Sequence, residues 1–371
     1  MRSKKRLVFV GGGHAHIYSL KNADQLIQEN AEVILIGPNR YHYYSGMGPG
    51  MLSRTYKPEQ IRFDIQAMME SRGGKFIKGE VASIDAESRT LVLEGGEKIE
   101  YDLASFNTGS YVPKNLIPGA EGEAFTVKPI ESLERFRETI LDKMKKGAPK
   151  ILIIGGGPAG VELAGNIWRL VQDNYGKAEI IIANSTDQLL PNVASKAGRL
   201  AEKSLLRRGI RIFSSFLATS MNQGFVRSQS GDEIAFDFAI LAIGILPSDI
   251  FLKSGLETSR EGALLVNDYL QSIRYPEIFG GGDCIAIQGR SLDRVGVYAV
   301  RESPILFDNL LASLKGEPLK VFSPQKRYML IFNMGDGTGI FVRGSFVWKG
   351  RLAFNLKNYI DTSFMSKFQD P

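Results

Sequence analysis

The sequence predicts an α/β protein with two parallel-sheet units, the second inserted in the first. Three observations predict it. An apolar strand runs into a glycine-rich turn twice: Leu7-Val8-Phe9-Val10 before Gly11-Gly12-Gly13-His14-Ala15-His16, and Ile151-Leu152-Ile153-Ile154 before Gly155-Gly156-Gly157-Pro158-Ala159-Gly160. The same order of elements follows each turn. After the second set the chain returns near residue 248 and reaches Ile278-Phe279-Gly280-Gly281-Gly282-Asp283-Cys284, which completes the first unit.

The elements follow in order. Residues 7–10, a helix and Val33-Ile34-Leu35-Ile36 form a βαβ unit. Residues 76–104 alternate around Val81, Ile84, Leu91, Val92 and Leu93, with Glu94-Gly95-Gly96-Glu97 as the turn of a hairpin. Residues 102–106 lead into Asn107-Thr108-Gly109-Ser110. Leu133, Phe136, Ile140, Leu141 and Met144 share one face of a helix over 131–146. From 150 the order repeats: strand 151–154, turn, helix 161–171, strand 180–182, a hairpin region over 210–236, and Phe238 to Ile243 leading into Gly244. Residues 321–371 hold strand-like pieces at 328–332 and 339–342. An amphipathic stretch follows, with Leu352, Phe354, Leu356, Tyr359, Ile360, Phe364, Met365 and Phe368 apolar.

Composition bounds the function. The chain has 371 residues, enough for two or three domains, with 43% apolar and 23% charged residues, ordinary for a globular protein. Cys284 is the single cysteine, so there is no internal disulfide and no intramolecular redox pair; this suits a reducing compartment. Three scattered histidines and one cysteine argue against a metal site. Arg2, Lys4, Lys5 and Arg6 precede an apolar run too short for a signal peptide, and no stretch approaches a membrane span. The net charge is +6, and residues 315–371 carry most of it, with nine Lys and Arg against four Asp and Glu. Such a tail suits anionic lipid or plain soluble surface. No aromatic-interleaved basic run points to nucleic acid.

Each glycine turn has the form of a Rossmann-like dinucleotide site. A glycine permits the tight bend, a second lets backbone approach a pyrophosphate, and the next helix aims its N-terminus at the charge. Two such turns suggest two nucleotides face to face, as when a nicotinamide passes hydride to a flavin.

These residues together resemble the two-dinucleotide-binding-domain flavoproteins, the pyridine nucleotide-disulfide oxidoreductase superfamily. That group includes disulfide reductases, type II NADH dehydrogenases and sulfide:quinone oxidoreductases. The markers fall in family order: the first turn, Thr108-Gly109-Ser110, the run from Gly155 through Gly160 to Val161-Glu162-Leu163-Ala164-Gly165, Ala242-Ile243-Gly244, and Gly282-Asp283-Cys284. The second turn and its helix look most like type II NADH dehydrogenases. Arg40-Tyr41-His42-Tyr43-Tyr44-Ser45-Gly46-Met47-Gly48-Pro49-Gly50, Gly296-Val297-Tyr298-Ala299-Val300-Arg301 and Leu356-Lys357-Asn358-Tyr359-Ile360-Asp361 look like the flavoproteins sometimes fused to selenide, water dikinase. The resemblance implies two Rossmann-like domains. An FAD-binding domain spans 1–125 and 248–320, an NAD(P)H-binding domain spans 126–247, and a C-terminal α+β segment with an amphipathic end spans 321–371.

The resemblance also implies site residues. Gly11, Gly12, Gly13, His14 and Ala15 would cradle the FAD pyrophosphate. His16 stands where a third glycine is expected, so a looser crossing or an outward ring is expected. Thr108, Gly109, Gly282 and Asp283 would meet the flavin, Asp283 at the ribityl chain. Tyr298 and Ala299 would lie at the helix end that faces the isoalloxazine. Val81 belongs to the same cofactor-contacting set. No acid follows the second strand, which leaves Asn39 or backbone for the ribose and Arg40 for a phosphate; an exposed turn is the alternative. Gly155, Gly157, Pro158, Ala159, Gly160, Asn184, Ile243 and Gly244 would hold the nicotinamide cofactor. Glu162 would sit near its ring as the candidate catalytic residue, or be a solvated first-turn acid. Asn166 occupies a position that is glutamate in many type II enzymes. Asn184 stands where an acid favours NADH, so NADH and NADPH both remain open. Tyr41, Tyr43, Tyr44 and Met47 would line the substrate face or serve as packed cover. Cys284 has no partner and reads as a packing residue.

The resulting expectation is an FAD-dependent NAD(P)H dehydrogenase that passes electrons to a quinone or another small acceptor. It would be cytoplasmic, with peripheral contact to the inner face of the membrane through the C-terminus and a homodimer both left open. The alternatives are a sulfide:quinone oxidoreductase-like enzyme and a non-catalytic flavin-binding accessory protein with a vestigial nicotinamide site.

Overall fold

A computed structural model describes residues 4–325 and 328–369; Arg2 of the basic N-terminus and Lys326, Arg327 and Asp370 of the basic tail lie outside them. The first sheet has five parallel strands in the order Ile278–Gly280, Leu103–Phe106, Lys5–Val10, Ala31–Gly37, Lys75–Lys78. A parallel sheet covered on both faces selects unbroken apolar strands, and Leu7, Val8 and Phe9 are wholly buried. Helix α1 (His14–Lys21) follows the first turn. Lys75–Lys78 joins this sheet as its edge strand. The antiparallel ribbon is Val81–Asp85, Thr90–Leu93 and Lys98–Glu100, so the hairpin expected over 76–104 starts later than the pattern suggested.

The second unit repeats the plan, with parallel strands in the order Ala124–Thr126, Phe238–Leu241, Lys150–Ile154, Glu179–Ala183, Arg211–Phe213. Its first strand begins at Ala124, ahead of the boundary expected at 126. Helix α2 (Pro158–Asp173) follows the second turn. Arg211–Phe213 is again an edge strand. The ribbon is Ala218–Asn222, Phe225–Ser228 and Glu233–Ala235, which corrects the hairpin region set at 210–236. The two corrections share a cause. An edge strand is half-exposed, so its alternation imitates that of a ribbon strand. The two segments that link the units pair with each other, Ser110–Tyr111 against Leu246–Pro247.

Helix α3 (Gly296–Lys315) returns against α1 and closes the first unit. The C-terminal part is a three-stranded antiparallel sheet, Leu330–Asn333, Gly339–Arg343 and Phe346–Gly350, and the last of these strands was not anticipated. Helix α4 (Arg351–Gln369) lies across that sheet and reaches Arg62–Asp64 of the first unit. The sheet seats on α2 by backbone contact: a side chain at Gly165 would strike the Met334 carbonyl, and one at Gly335 would strike the Gly165 carbonyl.

Gly165→Ala tests that seating. Helix propensity alone would gain about 1 kcal/mol. The clash with backbone, about 1–3 kcal/mol and at its upper end for a contact this close, outweighs it, for an expected net loss of up to about 2 kcal/mol. Thermal unfolding followed by circular dichroism reads the sign, and a raised midpoint would show that α2 and the sheet are not in contact there.

Candidate active site

The first turn is built on Asn107. A side chain at Gly11 would meet the Asn107 carbonyl, and one at Gly13 would meet its Oδ1. Asn107 Nδ2 donates to the Gly281 carbonyl, which ties the turn to the segment carrying Asp283. Among the described residues, two polar side-chain atoms here are buried without a protein partner, Asn107 Oδ1 and His14 Nε2. The N-termini of α1 and α3 have no side-chain cap, so their first N–H groups are available to an anion. At the end of strand Ala31–Gly37 lies a cleft of about 660 Å³, lined in part by Asn39, Arg40, Tyr41, Gln66, Phe76 and Lys78. This set of donors, orphaned polar atoms and side-chain-free backbone fits a dinucleotide laid from cleft to α3. Arg40 is not free within it; its guanidinium grips Asp64 at 2.6 and 2.8 Å. Asn39 Nδ2 reaches Glu131 at 3.4 Å. Val81 is half-buried at the start of the ribbon.

His16 does not turn outward. Its ring is wholly buried, with Nδ1 donating to the Gly11 carbonyl and Nε2 accepting from Ser105 Oγ at 2.8 Å. The ring meets Phe9 edge-on at 4.9 Å. Burial pushes its pKa down to about 4, with the bond to Gly11 acting the other way, so it serves as a neutral spacer between strand and helix.

Asp283 sits in a closed polar group. Lys128 Nζ lies 2.8 Å from Asp283 Oδ2 and 2.6 Å from Ser110 Oγ, and Ser110 Oγ donates to the same carboxylate oxygen at 2.6 Å. Burial works to raise this carboxyl; the Lys128 charge and the two hydrogen bonds outweigh it and hold the pKa below the usual value. One turn along α3 from Ala299, Glu302 accepts from the Gly282 N–H at 2.6 Å, and burial pushes it up to about 7. Tyr298 is buried with its hydroxyl 3.3 Å from the Gln325 carbonyl. Cys284 is wholly buried and its thiol is raised to about 11 by burial, as suits packing.

At the second turn, a side chain at Gly155 would meet the Ala242 carbonyl and one at Gly160 the Gly155 carbonyl. Gly157 and Gly244 face open space, and α2 starts at Pro158 and Ala159 with no side-chain cap. Ile243 and Gly244 follow strand Phe238–Leu241 beside this turn. Asn184 is buried and turned inward: Nδ2 donates to the carbonyls of Thr186 at 2.7 Å and Gln188 at 3.0 Å, and the amide packs under Gly156. It braces the turn and the 184–188 loop and does not present its amide to a ribose.

Glu162 is not a solvated acid. It is half-buried, and Oε1 accepts from the Asn333 N–H of the C-terminal sheet at 2.7 Å. Burial pushes its pKa up to about 7, against the pull of Lys357 and that hydrogen bond. Lys357 of α4 is half-buried, with Nζ 2.8 Å from the Gly46 carbonyl and 2.7 Å from Asp361 Oδ2. Burial lowers the Lys357 pKa, but Asp361 and Glu162 more than reverse this and raise it. Tyr44 donates to Asp361 at 3.1 Å. Asn166, wholly buried, bonds Ser53 Oγ at 2.8 Å and the Glu162 carbonyl at 2.8 Å, a neutral brace between α2 and the 48–53 segment.

The comparisons with known proteins agree with this geometry. A family model described as pyridine nucleotide-disulphide oxidoreductase matches residues 5–303. The chain belongs to that family. It is an FAD-dependent pyridine nucleotide oxidoreductase that uses NADH or NADPH. A ferroptosis suppressor protein 1 of Taeniopygia guttata is 30% identical over 312 residues, covering 80% of this chain and 78% of that one. A type II NADH:quinone oxidoreductase of Staphylococcus saprophyticus is 23% identical over 392 residues, covering 99% of this chain and 96% of the relative. Among solved structures, NDH2 from Plasmodium falciparum in complex with NADH superposes with a TM-score of 0.84 at 15% identity, over 98% of this chain and 96% of that chain.

Family motifs did not single out several members of the site. Lys128, Asn107 and Glu302 carry no turn signal, and Lys357 and Asp361 lie in a run that supported the subgroup resemblance but was given no role in the site. One signal was available: two charges at i and i+4 on the apolar side of a helix are a buried pair in waiting. Of the aromatic run, Tyr44 faces this cluster and Met47 is wholly buried, whereas Tyr41 and Tyr43 turn to the cleft, Tyr41 under Arg62 at 4.0 Å. Glu162 is expected to be neutral below about pH 7 and charged above it. Difference infrared spectra should show the carboxylic-acid bands of Glu162 and Glu302 lost across that range, with the Glu162 band absent in Glu162→Gln. Lys357→Met removes a cation that pulls the value down, so the band should persist to higher pH; a shift the other way would separate the two residues.

Proposed function

We propose that this oxidoreductase passes a hydride from NADH or NADPH to FAD and electrons on to a quinone. The carrying observation is the acid–lysine–acid cluster of Glu162, Lys357 and Asp361, which begins on α2 just after the second glycine turn and meets Tyr44, 5.2 Å from His14 of the first. The relative named as an NADH:quinone oxidoreductase, matched along nearly the whole chain, supports the acceptor class. FAD, when bound, supplies two-electron storage between donor and acceptor. Gly11, Gly12, Gly13, His14, Ala15 and the α1 N-terminus would hold its pyrophosphate. Asn39, Val81, Thr108, Gly109, Gly282, Asp283, Tyr298 and Ala299 would place its two ends. Gly155, Gly157, Pro158, Ala159, Gly160, Ile243 and Gly244 would hold the nicotinamide cofactor. Lys357 would orient an acceptor carbonyl, and Glu162, poised near neutrality, would hold or release a proton at its second carboxyl oxygen. A sulfide reaction is disfavoured by the lone, buried Cys284, whose thiol lies far from the thiolate range.

We infer further that α4 meets an anionic membrane surface. Its outward stripe is apolar over two turns, with Leu352 73% and Tyr359 69% exposed beside Leu356 and Ile360, and Phe346 adds an exposed ring nearby. Arg351 and Lys367 flank the stripe. Among the described residues no helix is long and apolar enough to cross a membrane.

Anaerobic mixing with NADH, then NADPH, then a water-soluble quinone tests the reading: bleaching of the flavin band and its recovery are expected. In Gly157→Arg the new side chain projects into open space, so FAD should stay bound while reduction by nicotinamide falls at least about tenfold, the scale of one lost binding contact of about 1.4 kcal/mol. Parental reduction in that variant would remove the second turn from the mechanism. The double variant Leu352→Glu, Tyr359→Glu should abolish flotation with phosphatidylglycerol vesicles yet keep the flavin; unchanged flotation would refute membrane contact through α4.

A further inference from the structure

We propose that His42 and His14 form a two-ring relay that carries a proton from solvent into the ligand chamber during quinone reduction. The inference rests on the quinone reading above. Its chemistry follows from the balance NAD(P)H + H⁺ + quinone → NAD(P)⁺ + quinol. The hydride brings two electrons and one proton. The quinol carries two protons, so the second must come from water.

His14 Nδ1 and His42 Nε2 lie 3.0 Å apart, with the rings edge-on at 4.7 Å. His42 is half-buried and keeps partial exposure. His14, at the first position of α1, is 9% exposed, and its Nε2 is buried without a donor or acceptor among the described residues. Phe63 lies parallel to His42 at 6.4 Å and Phe364 of α4 parallel to His14 at 6.0 Å, so apolar rings flank both imidazoles. The pair therefore has a partly exposed ring at one end, a hydrogen bond in the middle, and a nitrogen without a partner among the described residues at the buried end beside the first turn. A structural filler at position 14 would need no ring nitrogens.

A relay needs both rings neutral, because a doubly protonated ring has no acceptor. The surroundings enforce this. Burial, with Lys128 adding to it, pushes His14 down to about 4, and burial likewise holds His42 well below its ordinary value. Lys128 is the charged group facing the pair from the linking segment. From the 41–47 segment comes Tyr44, 5.2 Å from His14 and kept protonated by burial and Asp361. From strand Arg62–Asp64 the facing residue is Phe63, since Arg62 and Asp64 are engaged with Tyr41, Tyr43 and Arg40. From α4 it is Phe364, with Lys357 and Asp361 beyond Tyr44. In one passage, His42 Nδ1 takes a proton from water, His42 Nε2 gives its own to His14 Nδ1, and His14 Nε2 gives its own to the acceptor side. Each ring ends in its other tautomer, and a flip of each ring about its Cβ–Cγ bond restores the starting arrangement before the next turnover.

The chain has three histidines, so ¹⁵N-histidine spectra contain three rings. In flavin-free and flavin-loaded protein at about pH 6, where a free imidazole is largely charged, all three are expected neutral, with scalar coupling across the His14–His42 hydrogen bond. In the kinetic arm, holoprotein is reduced with dithionite and mixed with a water-soluble quinone. His42→Phe keeps the ring stack. It should slow reoxidation at least about tenfold, within the usual range for lost proton transfer, raise the solvent deuterium effect, and recover on adding imidazole. His42→Gln, which keeps polar atoms but cannot exchange tautomers, should behave alike. Parental reoxidation in both variants, or a charged ring at His14 or His42, would overturn the relay. Failure of NADH to reduce the parent flavin would strike only the nicotinamide reading, because dithionite supplies the electrons in this arm.

Discussion

Backbone-on-backbone contact at the two glycine turns is the constraint on which everything else here depends. Gly11 lies on the Asn107 carbonyl and Gly155 on the Ala242 carbonyl. Each contact pulls together the end of a central strand, the start of a helix and the end of a neighbouring strand. A Cβ at either position would force these three apart by more than a packed parallel sheet can absorb. Because they stay together, the uncapped helix N-termini and the strand-end loops lie at the carboxyl ends of the strands of each sheet, where such sheets bind ligands.

The units satisfy that constraint differently. In the second, Gly160 allows α2 to settle on the Gly155 carbonyl. In the first, His16 takes the equivalent place and fills the wider gap with a neutral ring bonded at both nitrogens. A buried polar group that is fully paired costs little beyond its desolvation, so the substitution keeps the turn intact. It also leaves α1 beginning with a second histidine, which the aromatic wall of Phe63, Tyr44 and Phe364 encloses.

The C-terminal part is more than a tail. Its sheet sits on α2 through Gly165, and Glu162 is bonded to it through Asn333. Helix α4 then places Lys357 and Asp361 under the 41–47 segment, with Tyr56 Oη bonded to Asn358 at 2.8 Å as a further tie. A half-buried lysine between two carboxyls is stable only when its partners are fixed, and three separate segments fix these.

Much of this was legible in the chain itself. The glycine turns, the unbroken strands 7–10 and 151–154 and the Gly-Asp pair at 282–283 are local patterns with local physical causes: φ above zero, burial on both faces, backbone approach. They fixed the two-unit architecture and the family. Edge strands were misjudged because half-exposure erases the difference between a parallel edge and a ribbon. The inward ring of His16, the Lys128–Asp283 pair, the setting of Lys357 and Asp361 under Tyr44 and Gly46, and the orphaned nitrogen of His14 depend on residues dozens to hundreds of positions apart. Sequence order carries no distance between such groups. Only the packed structure decides which charges share a cavity, which lose their water, and therefore which stay neutral enough to move a proton.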